Sequence, residues 1–476
     1  MRRTYKYAAM TKDEAQHSRV TFYEAVNDEE LNNMKIFKYP SKEAEARLLS
    51  IINRGLSFSR KDYISVSRIL EDVRKNGDRA LIGYVRKFDS PSMDLNSLKV
   101  TRKEIESASK KVGKAFIGSL NRAIGQIESF HKQQIRMSWT NSERGGVLLG
   151  QIVNPVDAAG VYVPGGKGGK TPLVSSVLMG AIPAKVAGVR RVVVVTPSTK
   201  DGSVNPHLLV AAKMVGVDEI YKAGSAWAIA ALAYGTETIQ KVDVIVGPGN
   251  IYVTLAKKIV SGTVGIDMTA GPSEILVIAD KSAVPEYAAA DLLSQAEHDA
   301  LASSILLTDS METADAVNMA VEVQIKKLER KDIAEKSISK YGAIMVVPDI
   351  LAAIELSNRI APEHLELQIE NPFEYIGQVK NAGAVFLGNY TPEPVGDYIA
   401  GPNHVLPTAG TARFSSALSV DNFIKKTSLI SYSKDAFFRE AKDIIRLAET
   451  EGLGAHADSV RVRLKENLNS RKKRKI

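Results

Sequence analysis

What most limits the fold of this chain is a series of short, nearly continuous apolar runs, each followed by a helix-length segment. "RRVVVVTPS" (Arg190–Ser198) carries four consecutive valines. A run apolar on every residue buries both faces, as a parallel strand inside an α/β layer does. "AAGVYVPGG" precedes it, and "EIYKAG" and "VDVIVGPGN" follow; helical "LVSSVLMGAIPAKVAGV", "NPHLLVAAKMVG" and "AWAIAALAYGT" lie between. The order is βαβα, which predicts a parallel sheet with helices on both faces. A second series, "SEILVIAD", "SSILLTDS", "YGAIMVVPD" and "AGAVFLGNY", repeats the alternation. Two α/β units over roughly residues 160–272 and 273–390 are therefore expected. Apolar residues at three- and four-residue steps predict helices over residues 40–90 and from about Arg102 to Lys132, and helix again from about residue 420.

Composition excludes several classes. The chain has 476 residues and no cysteine, so disulfides, thiol nucleophiles and cysteine-bound metals are ruled out, and a reducing cytoplasm fits. Its formal net charge is +9, but the closing run "RKKRK" (Arg471–Lys475) supplies five of those charges. A short terminal run of like charge is usually solvated, and no basic stripe interleaved with aromatics occurs elsewhere, which argues against nucleic acid. The apolar runs are too short for a bilayer. Residues 1–33 are polar and weakly patterned, without the apolar centre of a secretory signal. They read as a leader, with Met34 an alternative start.

"PGGKGGKTP" (Pro164–Pro172) nearly matches a phosphate-binding loop between strand and helix. Pro164, at the first glycine position, has a fixed negative φ and no N–H, and Pro172 removes another donor from the helix start. A nucleoside-triphosphatase reading fails there, and no G-x-G-x-x-G follows any strand. A glycine-rich turn beside a cofactor remains open.

Polar chemistry concentrates late in the chain. Of seven histidines (His17, His131, His207, His298, His364, His404 and His456), the last four lie at element ends or in loop-like settings. In "DLLSQAEHDA", Gln295 and His298 flank the apolar stripe of an expected helix about 60° apart, as a solvated flank or as half a site. "APEHLEL" places Glu363 beside His364 after a proline turn, as a surface pair or as two proton acceptors. "VGDYIAGPNHVLPT" embeds Asp397 and His404 in a loop rich in glycine and proline, and "TEGLGAHADS" sets Glu451 and His456 after a helix. Without cysteine, a metal site would draw on imidazole, carboxylate and amide oxygen, a set suited to zinc.

Taken in order, "GVYVPGGKGG", "VGPGNIYVTLAKK", "AGPSEILVIAD", "DLLSQAEHD", "APEHLEL", "GDYIAGPNHVLPTAGTARFSS" and "EGLGAHADSVRVR" resemble the histidinol dehydrogenases from about Met34 to Lys465. The resemblance implies a cytoplasmic homodimer with shared active sites. Each subunit would oxidise L-histidinol to L-histidine through L-histidinal, with two NAD and one zinc, as the last step of histidine biosynthesis. It implies zinc ligands Gln295, His298, Asp397 and His456, the last from the partner subunit, and a catalytic pair Glu363 and His364. Substrate would meet Ser273, His404 and Glu451 together with the zinc ligands and His364; NAD would meet Tyr162 and Asn250. The implied layout is two Rossmann-like parallel-sheet domains, 58–161 with 273–418 and 162–272. A helical N-terminal segment (34–57) and a helical C-terminal segment (419–470) would pack in an intertwined dimer, ending in a basic tail (471–476). One departure stands out: Trp227 replaces a glutamine at an NAD-contacting position, and an indole cannot reproduce both amide hydrogen bonds. An alcohol dehydrogenase of the same fold for another substrate, such as a sulfonated diol, and a non-catalytic scaffold are the alternatives.

Overall fold

The computed structural model describes residues 34–54, 58–166 and 171–473, with side chains as far as residue 464. The leader over residues 1–33, residues 167–170 of the glycine-rich turn and the side chains of the basic tail lie outside the described residues. The chain forms two compact units.

The first unit takes the described residues before 56 together with Pro272–Pro392 and Thr408–Arg413. Its six-stranded sheet is parallel throughout, in the order Ile36–Lys38, Gly342–Val346, Ser303–Thr308, Glu274–Ala279, His364–Gln368 and Ala384–Leu387. Because side chains alternate across a strand, Ile275, Val277 and Ala279 face one layer and Leu276 and Ile278 the other. Helices Pro285–Ala296, Met311–Ile325 and Lys331–Tyr341 cover the first face. Lys42–Ile52 and Ile350–Ile360 cover the second. The N-terminal segment is not purely helical, as the sequence had suggested: Ile36–Lys38 adds an edge strand, its Phe37 buried against the second layer.

The second unit holds the described residues from 58 to 271, Glu393–Pro407 and the chain from Phe414. Its parallel sheet runs Glu219–Lys222, Arg191–Thr196, Ala158–Tyr162, Val244–Val246, Gly265–Ile266. Helices Val174–Val186 and Pro206–Met214 pack on one face, Ser225–Tyr234 and Ile251–Val260 on the other. The division of residues 58–161 differs from the expected one. Arg60–Phe88 packs on Ser225–Tyr234, Arg102–Lys111 on Pro206–Met214, and Lys114–Lys132 on Val174–Val186, so these residues join the sheet at 158–266. The stretch 102–132 is two helices, broken at Val112 and Gly113. After residue 420 the chain is not simply helical either. Ile424–Tyr432 pairs antiparallel with Val147–Pro155, which also carries Trp139–Asn141, before helices Lys434–Thr450 and Gly454–Lys473. Among the described residues, no helix is long and apolar enough to cross a membrane.

Candidate active site

In the first unit, helix Ile350–Ile360 ends at Ala361 in the left-handed conformation (φ 54°), and Pro362 turns the chain into the strand His364–Gln368. Glu363 and His364 are therefore buried, at 7% and 4% exposure, and not a surface pair. Both are held by one residue of the neighbouring strand. Glu363 Oε2 accepts from the Glu274 N–H at 2.9 Å, and His364 Nδ1 lies 2.9 Å from the Glu274 carbonyl. A carbonyl oxygen only accepts, so Nδ1 carries the proton and Nε2 the lone pair, the tautomer a general base requires. The two side chains approach to 3.8 Å. Beneath them Glu274 pairs with buried Arg54 at 2.8 Å; burial pushes the Glu274 carboxyl up while the Arg54 guanidinium pulls it down. Neither Arg54 nor Glu274 was singled out from sequence, although a glutamate opening an apolar strand is a readable sign of a buried partner.

Gln295 lies in the last turn of helix Pro285–Ala296 and is 1% exposed. His298 lies past the Glu297 cap, its N–H bonded to the Gln295 carbonyl and its side chain exposed. The two do not share one helical wheel; the chain turns between them. Gln295 Oε1 is buried without a hydrogen-bond partner among the described residues. An orphaned amide oxygen costs about 1–3 kcal/mol, and a cation is the kind of partner that offsets it. This fits an oxygen ligand. Ser273 stands half-buried just before strand Glu274–Ala279, its carbonyl accepting from Ser303.

In the second unit, Asp397 sits in the short helix Glu393–Tyr398, and His404 Nδ1 lies 3.5 Å from Asp397 Oδ1. Buried Asn403 fixes the loop between them, donating to the Met179 carbonyl at 2.7 Å and accepting from Val405 N–H at 2.9 Å. Glu451 caps the C-terminus of helix Lys434–Thr450, and His456 lies in the first turn of the next helix; both are exposed. Gln295 and His298 thus belong to the first unit, Asp397 and His456 to the second.

A cleft of about 1180 Å³ opens in the second unit at the C-terminal ends of Ala158–Tyr162 and Arg191–Thr196, lined by Asp89, Tyr162, Ser225, Trp227 and Asn250 among others. It lies beside the point where strand order reverses, between Ala158–Tyr162 and Val244–Val246, the usual ligand crevice of an open α/β sheet. Tyr162 OH accepts from Ser225 N–H at 3.0 Å, and burial pushes its phenol well above the ordinary range. Asn250 caps helix Ile251–Val260 through Tyr252 and Val253 N–H. Gly247 (φ 112°) presses against the Tyr162 main chain, where a Cβ would collide, and is held by Asp267 at its N–H and Lys257 at its carbonyl. Trp227 is buried at 5% exposure, stacked on Phe88 and Tyr84, with Nε1 donating to Asp89 Oδ2 at 3.2 Å. Asp89 also accepts from Gly224 N–H, and burial pushes its carboxyl up to about 6. Asp89 was not anticipated, because its partners lie about 135 residues further along the chain.

A family model described as histidinol dehydrogenase matches residues 56–464. Proteins named histidinol dehydrogenase from Desulfotalea psychrophila and Carboxydothermus hydrogenoformans are each 56% identical to the chain. The matches cover 89% and 84% of this chain and 98% and 93% of theirs. The crystal structure of histidinol dehydrogenase from Elizabethkingia anophelis matches with a TM-score of 0.85 and 41% identity, over 92% of this chain and 99% of that one. The chain therefore belongs to the histidinol dehydrogenase family.

Proposed function

We propose that this protein oxidises L-histidinol to L-histidine through L-histidinal, using two NAD and one zinc per subunit, as the last step of histidine biosynthesis. The observation that carries the reading is the Glu363–His364 pair, buried and oriented by the Glu274 main chain. His364 Nε2 takes the hydroxyl proton as the carbinol carbon gives up hydride to the nicotinamide. Glu363 takes a proton from the water that adds to the aldehyde, and His364 acts again as base when the hydrate loses its second hydride. Buried Glu363 and His364 carry out this chemistry away from bulk water, which strengthens each proton transfer. Gln295, His298, Asp397 and, from the partner subunit, His456 would hold the zinc. When bound, zinc supplies a fixed anchor for the substrate imidazole and amine. Ser273, His404 and Glu451 would complete the substrate contacts, Glu451 also from the partner subunit. Exposure of Glu451 and His456 at one helix junction supports a role across a homodimer interface. Tyr162 and Asn250 would contact NAD in the second unit's cleft. A cytoplasmic location accords with a cysteine-free biosynthetic enzyme.

The test is NADH formation from histidinol before and after chelation and zinc restoration. Loss on chelation and recovery with zinc are expected; oxidation of another alcohol, with none of histidinol, would overturn the substrate assignment. His364→Asn should abolish turnover while histidinol still binds.

A further inference from the structure

Beneath the catalytic pair, the first unit contains a polar track that the proposed chemistry does not use. Strand His364–Gln368 pairs with Glu274–Ala279 so that His364, Glu366 and Gln368 stand beside Ile275, Val277 and Ala279, on the face covered by helix Pro285–Ala296. Three alternate residues of a buried strand are thus polar, and Glu366 and Gln368 are 1% and 2% exposed. The helix answers with Asp291, 8% exposed and one turn before Gln295. Gln368 Nε2 donates to Asp291 Oδ2 at 2.7 Å and to Glu366 Oε2 at 2.9 Å, and the two carboxyls hydrogen-bond each other. A bond between carboxyls requires that the pair hold a proton. Burial pushing the Asp291 carboxyl upward is in keeping with that.

Such a cluster is a poor way to gain stability, since well-packed apolar residues in the same volume would do as well or better. Its use lies in direction. Apart from one bond, Ser304 Oγ donating to the Leu292 carbonyl at 2.7 Å, the rest of this helix–sheet contact is made by Ala288, Ala289, Leu292, Leu293 and Ala296 against Ile275 and Val277. Apolar contact is non-directional, and an alanine-rich face can slide or rotate at small cost. Hydrogen bonds from helix to strand cannot.

We propose that Asp291, Glu366 and Gln368 form a buried clamp that fixes the register of helix Pro285–Ala296 on strand His364–Gln368, and so sets Gln295 against His364. All three are positioning residues. The clamp rests on the functional reading above for its consequence, the alignment of a metal-binding amide with the catalytic base. A shift of one ångström in such a constellation can cost about 100-fold in rate.

The test uses two variants of the full chain. Glu366→Gln replaces the shared proton with an amide N–H aimed at Asp291 and should preserve the clamp. Glu366→Leu keeps the volume and the packing but removes the carboxyl that Asp291 and Gln368 both bond to, leaving the single Gln368–Asp291 bond to hold the helix on this strand. Zinc retention against a chelator, kcat and KM for histidinol, and amide exchange across residues 285–296 are measured for each. Glu366→Leu should weaken zinc retention by about 10–100-fold, lower kcat more than it raises KM, and speed exchange in the helix, with thermal stability kept. Glu366→Gln should stay within about threefold of the unsubstituted protein, since it keeps a donor in the shared position. Unchanged zinc retention and kcat in Glu366→Leu would overturn the proposal. So would equal losses in both variants, or loss in Glu366→Gln should Glu366→Leu fail to fold. If the unsubstituted chain neither holds zinc nor oxidises histidinol, the functional reading falls instead, and the clamp is judged on helix exchange alone.

Discussion

Arg54 offers the sharpest test of how the catalytic pair is held. Its side chain is 3% exposed and spends its donors on the Leu301 and Ile51 carbonyls at 3.1 and 2.8 Å and on Glu274 at 2.8 Å. Arg54→Met keeps most of the apolar stem and leaves Glu274 buried without its cation. A lone charge there is so costly that the carboxyl takes up a proton instead. Burial already holds the Glu274 carboxyl above its ordinary 4.5 with Arg54 in place, so the added cost in the variant is at most that of full uptake, about 4 kcal/mol near pH 7.5 and about 1.4 kcal/mol near pH 5.5, at about 1.4 kcal/mol per unit. The larger figure agrees with the roughly 3–5 kcal/mol typical of a broken buried pair. Glu274 in the variant has a raised folded pKa, so its neutral form supports the fold fully below the unfolded value, and that support is lost as pH rises. The variant should therefore fall further behind the unsubstituted protein as pH increases. Urea unfolding of both proteins at the two pH values reads the difference. An equal loss at both would refute the argument, because the penalty would then not come from Glu274.

Other outcomes follow from the same geometry. Trp227 and exposed Trp139 are the only tryptophans, so protein fluorescence should titrate near pH 6 as Asp89 changes charge beside the indole, and Asp89→Asn should abolish the transition. Because the Asp89 pKa is raised, its contribution to stability is full below about 3.8 and fades as pH rises through about 6. Asp89→Asn should therefore gain melting temperature relative to the unsubstituted protein over that interval. Trp227→Gln should tighten NAD binding by about 2–10-fold through restored amide hydrogen bonds, as measured by calorimetry; weaker binding would mean that the indole itself serves the cofactor. Gln295→Leu should leave the metal-free protein as stable or about 1 kcal/mol more so, by removing an orphaned amide, and yet reduce zinc retention. Gly247→Ala should cost about 1–3 kcal/mol for strain alone, with added loss from collision with Tyr162, visible as a lower melting temperature.

The parallel strands were legible because burial on two faces leaves a compositional mark, as in Arg191–Thr196. Ile424–Tyr432 left none. It is exposed along most of its length and carries Lys425 and Lys426, the habit of a strand that guards a sheet edge with charge. Gln295 was legible as a residue type at a suggestive place, but its burial depends on the whole first unit. The helix end that separates it from His298 is set by Glu297 in a cap whose sequence is unremarkable. Glu363 and His364 read as a polar doublet near a turn; only pairing with Glu274–Ala279, some 90 residues earlier, turns that doublet inward. Asp89 and Trp227 met for the same reason, through a fold that joins distant parts of the chain.

The edge strand Ile36–Lys38 has a consequence for synthesis. Its partner, Gly342–Val346, emerges about 300 residues later. At about 5–20 residues per second, the N-terminal segment waits roughly 15–60 s for the strand that receives it. The sheet over residues 158–266 has no such debt to the far end of the chain, as all its strands arrive in one stretch. For most of the interval, until strands Glu274–Ala279 and Ser303–Thr308 emerge, Phe37, Leu48 and Ile51, buried in the finished protein, have no sheet to cover them. Residues 34–54 are among the last parts to find their place, and a nascent chain stalled before residue 342 would present their apolar face to the quality-control machinery.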